Sequence, residues 1–227
     1  MSELERAAIA AASITGYAVV VAFTTLPILA AIGVILGTRR ASSGGWLAAG
    51  YAVGLAVVFV LAGLGAGRLR WPAWASPNAV VEVGAGIVLV VVAAVWALWE
   101  RHRQLLGTPP SHRFLARVRR LGPLSCILVG FQFAFHPENL ILTVAAASHT
   151  AQTPWPGRAL VVLWFCLVGV STVLVPTFMY VASADRARAR LESLHAWLGT
   201  HGVLITIALV FVAGLVLIAF GWWRLAA

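Results

Sequence analysis

The sequence predicts an all-α polytopic membrane protein with six transmembrane helices in a single domain. Hydrophobic residues fill 61% of the 227 positions and charged residues only 10%, and the mean hydropathy is +0.94. Soluble domains carry about 25% charged residues. The apolar residues also fall into runs of about 20 or more, the length that a helix needs to cross the hydrocarbon core of a bilayer. A soluble globular protein is therefore excluded.

The first predicted span lies between Arg6 and Arg39, where the chain carries no charge. Five further apolar runs are each long enough for one membrane helix. They cover residues 45–67, 78–99, 121–148, 159–184 and 202–223. A cleavable signal peptide is not expected, because Glu3 and Glu5 oppose a single arginine at the N-terminus and the run that follows is too long.

The arginines predict which side of the membrane each loop faces. All 16 basic residues are arginine, and they form short clusters between apolar runs, which favours a role in membrane orientation over nucleic-acid binding. Eleven arginines follow spans one, three and five, whereas five lie on the other side. Because the more basic side of a membrane protein faces the cytoplasm, both termini are expected to be extracytoplasmic, in the plasma membrane.

Two segments on the predicted cytoplasmic side are amphipathic. In residues 113–121 and again in residues 185–198, apolar side chains recur at helical spacing opposite a stripe of arginines. Such helices could lie on the bilayer surface and recognise lipid. We favour the alternative that they set the topology and present a solvated face, since basic cytoplasmic loops are general.

A short motif recurs in the first and fourth spans. Both read F-x-x-x-P, at residues 23–27 and 133–137, and Gly50 and Gly54 of the second span match residues 165–169 of the fifth if a short gap is allowed. Because each copy of the repeat would have three helices, an odd number, the second copy must cross the membrane in the opposite orientation to the first. We predict a 3 + 3 inverted repeat, with chance similarity as the alternative. Its parts are repeat 1 at about 7–99, a basic cytoplasmic loop at 100–120 and repeat 2 at about 121–223.

Prolines predict that the first and fourth spans are broken. Pro27 and Pro137 each remove a helical hydrogen bond and suit the N1 position of a second half-helix. The N-terminus of a half-helix directs N–H groups and the positive end of its dipole toward a substrate or an ion. Thr24 and Thr25 add hydroxyls near the first break. We expect the two breaks to face each other inside the bundle, with kinked structural helices as the alternative.

The sequence His136-Pro137-Glu138-Asn139 places a carboxylate within the fourth span. Because an acid in a span costs a few kcal/mol on insertion scales, its presence indicates a function or a partner. We predict that Glu138 couples transport to a proton or a cation, with His136 and Asn139 as hydrogen-bonding neighbours and Thr24 and Thr25 across the bundle. The alternative is an acid in the first helical turn that the half-helix dipole stabilises.

The remaining polar residues give weaker signals. His149 and His201 lie near span edges, where solvated side chains are expected. Glu82, a few residues into the third span, is either a solvated end or a functional acid. Cys126 and Cys166 lie in apolar runs, without the spacing of a disulfide framework or a metal site. The single aspartate excludes a paired-aspartate metal centre, and no G-x-S-x-G serine motif occurs. No cofactor, metal site or enzymatic activity is expected.

Four segments resemble the sulfolipid-addressing (Sap) or GAP family of actinobacterial membrane proteins, placed in the lysine-exporter superfamily. These are residues 22–31, the Arg39-Arg40 turn, the Gly50 and Gly54 pair, and residues 137–143. The resemblance implies six helices, a plasma-membrane location and a role in moving envelope lipids or other solutes outward. Fourth spans of the family read Asn-Pro-Lys-Asn, so a glutamate stands here where the family has a lysine.

Three functions are compatible with the sequence. An exporter or permease for an envelope lipid or small solute is favoured by the two prolines, by Glu138 and by the resemblance. A non-transporting accessory subunit of a lipid-export machinery is the second, because the chain has no nucleotide-binding motif. Thiol redox carriage would rest only on the two cysteines. The expected partners are the bilayer and the transported lipid or small molecule, with further copies of the chain or export machinery as candidates.

Overall fold

The computed structural model describes residues 3–66, 77–105, 122–150, 153–154 and 156–226. Within these ranges the chain forms eight helices and no strand. The helices are α1 (Glu3–Ala22), α2 (Thr25–Thr38), α3 (Ala41–Ala66), α4 (Pro77–Leu105), α5 (Pro123–Phe133), α6 (Pro137–His149), α7 (Gly157–Ala182) and α8 (Ala184–Ala226).

Six membrane spans are possible, as the sequence predicts. Helices α3, α4, α7 and α8 are each long and apolar enough to cross a bilayer. The pairs α1–α2 and α5–α6 are each apolar enough together, but they are bent at a short break by 53° and 67° respectively. If each bent pair is one span, the total is six. The prediction of an all-helical, multi-pass membrane protein is confirmed.

Two helices run beyond the predicted boundaries of their spans. Helix α4 continues to Leu105, so the first residues of the predicted loop at 100–120 are helical. Helix α8 has 43 residues and is about 65 Å long at 1.5 Å per residue, twice the thickness of a hydrocarbon core. Only Ser183 separates α7 from α8.

The long α8 changes the interpretation of the second amphipathic segment. Residues 185–198 form the start of α8 and are continuous with the last span, so they are not a separate helix. Its apolar face is covered by protein, because Ala187 and Leu191 are buried in a cluster with Ile32 and Ile35 of α2. The first amphipathic segment, residues 113–121, lies outside the described residues.

Glycines bring the backbones of helices from the two halves of the chain together. A Cβ atom at Gly50 of α3 would overlap the carbonyl oxygen of Ile127 of α5, and one at Gly54 would lie 2.8 Å from the carbonyl oxygen of Phe131. Helices α4 and α8 also cross closely, since a Cβ at Gly86 would lie 2.6 Å from the carbonyl oxygen of Gly214. Small residues permit such close packing in membrane bundles.

We predict that Gly50→Ala destabilises the protein, because the new methyl group overlaps the backbone of α5. Overpacking of this kind costs about 1–3 kcal/mol. Gly45→Ala is the matched control in the same helix, because no atom lies within 4 Å of its added Cβ. Alanine there should be neutral or stabilising by about 0.5–1 kcal/mol. The thermal unfolding midpoint of the two purified variants in detergent tests the prediction, and equal midpoints would contradict it.

Candidate functional site

The first break is stabilised by a hydroxyl from another helix. Helix α1 ends at Ala22, whose carbonyl would lose its hydrogen bond where the helix stops. The Thr172 hydroxyl of α7 donates to this carbonyl. The Thr24 hydroxyl donates to the carbonyl of Val21 at 2.8 Å, which satisfies a second acceptor at the end of α1. The carbonyl groups at the end of α1 thus receive hydrogen bonds from Thr24, next to the break, and from Thr172 of α7.

The other side of the first break contacts α8. The buried Thr25 begins α2, and its hydroxyl accepts a hydrogen bond of 2.7 Å from the Thr206 hydroxyl. The N–H of Thr25 in turn donates to the Thr206 oxygen at 3.4 Å. This pair joins the N-terminus of α2 to the middle of α8.

Pro27 does not occupy the predicted N1 position. Helix α2 begins two residues earlier, at Thr25, with Thr24 as its N-cap. Pro27 is therefore the third residue of the first turn, and it is buried. Because the first four N–H groups of a helix have no partner within the helix, a proline there removes no hydrogen bond. The proline thus fits inside the first turn, and the break falls before it.

The second break has the predicted arrangement. Helix α5 ends at Phe133, and Pro137 is the first residue of α6, with His136 as its N-cap. The side-chain amide of Asn139 turns back and donates to the carbonyl of Phe133 at 3.0 Å. As at the first break, a side chain satisfies an acceptor at the end of the first half-helix.

Glu138 is buried at the start of α6 and is only partly satisfied. Its side chain is 1% exposed, and its Oε2 lies 2.7 Å from Nδ1 of His136. The other oxygen, Oε1, has no hydrogen-bond partner among the described residues. His136 is 38% exposed, and its ring lies 6.2 Å from that of Trp96 on α4. Helix α5 is only about 16 Å long, about half of a 30 Å hydrocarbon core, before the break that precedes Glu138.

Further buried oxygens near Glu138 lack partners. The Oδ1 of Asn139 and the hydroxyl of Thr143, one helical turn later, make no hydrogen bond among the described residues. The same holds for the hydroxyl of Tyr51 on α3. Asn139, Thr143 and Tyr51 are all 0% exposed. Buried polar atoms are almost always paired, so these three side chains, like Glu138, carry unused hydrogen-bonding capacity inside the bundle.

Tyr51 of α3 lies near the first break. Its hydroxyl is buried beside Thr24 and has no hydrogen-bond partner of good geometry among the described residues. Gly50 and Gly54, on either side of Tyr51, hold α3 against the backbone of α5. That the two breaks face each other inside the bundle stays a prediction.

A family comparison covers almost the whole chain. The model of the family described as "Sap, sulfolipid-1-addressing protein" matches residues 14–223, which include both breaks, three of the unbroken spans and all but the last two residues of the fourth. The chain belongs to this family. No curated protein and no solved structure matches it.

In this Sap-family protein, the predicted site residues do not all face the interior. Thr24, Thr25, Pro27, Glu138 and Asn139 are buried. His136 is partly exposed, and Pro137 is exposed, so it shapes the backbone without lining the interior. The sequence analysis did not identify a further set of residues that complete the two breaks. These are Tyr51, Trp96, Thr143, Thr172 and Thr206.

One prediction about a span-edge residue is corrected by the structure. His149 was expected to be solvated, but its side chain is 6% exposed and its Nε2 lies 2.9 Å from Oε1 of Glu82. Glu82 is itself buried, at 3% exposed. Both residues belong to a second polar cluster, described below. Cys126 and Cys166 are free and buried, as expected of small core residues.

We predict that Thr172→Val weakens the first break. Valine has nearly the shape of threonine but leaves the buried Ala22 carbonyl without its side-chain donor, at a cost of about 1–3 kcal/mol. Thr200→Val is the control, because this hydroxyl also donates to a carbonyl, that of Trp197, but lies on the exposed surface of α8. The control should change stability by less than about 0.5 kcal/mol. Thermal unfolding in detergent compares the two, and a control as unstable as Thr172→Val would refute the role of the Thr172 hydroxyl.

Proposed function

We propose that this protein is an exporter or permease that moves an envelope lipid or small solute out across the plasma membrane. Membership of the Sap family supports a role in lipid export or addressing. The observation that carries the transport proposal is the buried Glu138 with its free Oε1, at the N-terminus of a half-helix. Helices broken near the membrane midplane are how many transporters form substrate and ion sites.

Glu138 couples this transport to a proton or a small cation. The carboxylate oxygen Oε1 of Glu138 and the side-chain oxygen of the adjacent Asn139 are both buried without a partner among the described residues. Oxygen ligands suit a proton, a water molecule or a hard cation. The N-cap residues Thr24 and His136 make no side-chain hydrogen bond to the N–H groups of α2 and α6. Because the Thr25 N–H of α2 donates to Thr206, the N-terminus of α6 is the better placed of the two for polar groups of a substrate.

The two halves of the chain are inverted repeats. Each half has a bent pair followed by two long helices. The packing is reciprocal, because α3 packs on α5 in the same way that α7 packs on α1. In the first contact Gly54 lies against Phe131, and in the second Gly169 lies against Val21. Phe131 and Val21 each lie two residues before the phenylalanine that begins the F-x-x-x-P motif of their span. Helices α4 and α8 meet each other at Gly86 and Gly214, as two equivalent helices on a two-fold axis would.

An accessory role in a lipid-export machinery is the second candidate. The observation that favours it is the start of α8, where Arg186, Arg188 and Arg190 are exposed opposite the face that packs on α2. Leu194 and Trp197 add exposed apolar surface on the same stretch, at 39% and 51% exposure. Exposed aromatic and arginine side chains are enriched in protein interfaces. An accessory subunit would not need a titratable group at Glu138.

We predict that Glu138→Gln abolishes export while the protein still folds. Glutamine keeps the shape and the contact with His136 but cannot release a proton. The measurement is the envelope-lipid and secreted-metabolite profile of a deletion strain that is complemented with each variant. The wild-type gene should restore the missing compound, whereas Glu138→Gln should leave the profile of the deletion strain.

Glu192→Gln is the matched control, because this carboxylate is 54% exposed and pairs only with Arg188 of the same helix. It should restore export fully. If Glu138→Gln also restores export fully, the coupling role is wrong and the accessory role gains support.

We also predict that both termini are extracytoplasmic. Arg39, Arg40 and the arginines at the start of α8 then face the cytoplasm, as the positive-inside rule requires. Alkaline phosphatase fused to the C-terminus should be active in cells, and a fluorescent protein that folds only in the cytoplasm should not fluoresce there. A fluorescent C-terminal fusion would reverse the orientation.

A further inference from the structure

A second buried polar cluster joins four helices away from the two breaks. It consists of Tyr17 of α1, Glu82 of α4, His149 of α6 and Arg224 of α8. Glu82 is its centre, because Oε1 lies 2.9 Å from Nε2 of His149 and 3.0 Å from Nη1 of Arg224. The Tyr17 hydroxyl donates to the same oxygen at 3.3 Å and lies 3.1 Å from Nε2 of His149.

The charges in the cluster balance. The carboxylate of Glu82 and the guanidinium of Arg224 cancel, and a neutral His149 with its proton on Nε2 donates to Glu82. A buried carboxylate without such donors would be strongly destabilising. The cluster is therefore held together by the charge of Glu82.

The cluster connects two parts of the bundle. Glu82 and Arg224 lie on α4 and α8, which pack along each other and cross at Gly86 and Gly214. Tyr17 and His149 lie on α1 and α6, which each belong to a bent span. The cluster thus fixes the α4–α8 pair to one half-helix of each broken span.

Two features distinguish the cluster from a permanent structural contact. The Arg224 side chain is 49% exposed, so the bundle does not enclose the ion pair. The second oxygen of Glu82, Oε2, is buried and has no partner among the described residues, so the cluster is only partly satisfied. A buried network built for stability would satisfy every member. A network with an unpaired carboxylate oxygen and a half-exposed arginine separates more easily.

We propose that Tyr17, Glu82, His149 and Arg224 form a charged latch that closes one end of the bundle between the α4–α8 pair and the two broken spans. In the orientation proposed above, this is the extracytoplasmic end, because α6 and α8 end there and α4 begins there. Opening of the latch exposes the buried face of α6 to water. His149 and Glu138 lie at opposite ends of this 13-residue helix, about 17 Å apart. When the latch is open, the exposed face of α6 therefore extends from the outer surface toward the candidate site.

The role of the latch in a transport cycle rests on the proposed transport function, whereas its opening does not. Its opening can be measured without a substrate, by the reaction of a buried thiol with a hydrophilic maleimide in purified protein. Ala145 is a suitable position, because it is 0% exposed and lies one helical turn before His149, on the same face of α6. The background protein carries Ala145→Cys together with Cys126→Ala and Cys166→Ala, so that only the new thiol reacts.

We expect Glu82→Gln to speed labelling at position 145 by at least about tenfold, because the uncharged amide no longer holds Arg224 and the open form becomes more populated. Arg188→Gln in the same background is the control. It removes a similar Arg–Glu pair, 2.9 Å apart, which is exposed and lies within one helix. The control should change the labelling rate by less than about twofold.

Arg224→Gln gives a second and milder test, since this half-exposed side chain can be replaced without leaving a cavity in the core. It should also speed labelling, and it decides the question if Glu82→Gln does not fold. Labelling that is as slow in Arg224→Gln as in Arg188→Gln would overturn the latch. If Arg224→Gln is labelled fast but the protein has no export activity, the latch is supported and only the transport proposal fails.

Discussion

The bundle depends on how the backbone groups at two broken spans find hydrogen bonds in an apolar environment. A helix that stops inside a membrane leaves carbonyl groups that lipid cannot satisfy. Here Thr172 of α7 donates to the carbonyl at the end of α1, and Asn139 donates to the carbonyl at the end of α5. These two contacts let the chain bend by 53° and 67° while it remains packed. The buried polar groups of the candidate site can exist only because the bends are stabilised in this way.

The positions of the breaks could be predicted from local sequence, but their partners could not. A proline within an apolar run marks a break because it lacks an N–H group and restricts the backbone before it. Pro137 lies at the predicted helix start, whereas Pro27 lies two residues inside α2. Thr172 and Thr206 carry no such signal, because a hydroxyl in an apolar helix can satisfy itself by bonding to its own backbone. Only the packing of α7 and α8 determines that these two face the first break.

The buried cluster around Glu82 was missed for a similar reason. Glu82, His149 and Arg224 each lie near the edge of an apolar run, where a solvated side chain is the usual outcome. The structure brings them together from separate helices at sequence separations of 67 to 142 residues. By contrast, the continuity of α8 was visible in principle, since no proline interrupts the chain from Ala184 to Ala226. The amphipathic pattern at its start is equally compatible with a separate helix and with the first turns of a longer one.

The uninterrupted length of α8 has a mechanical consequence. The single helix α8 carries Leu191 in the cluster with α2, Thr206 at the first break and Arg224 at the Glu82 cluster. Thr206 and Arg224 are about 27 Å apart along the axis. Because α8 is one continuous helix, a rotation of the whole helix about its axis displaces all three contacts at once. The first break and the Glu82 cluster thus share one structural element, and a movement of that element is felt at both.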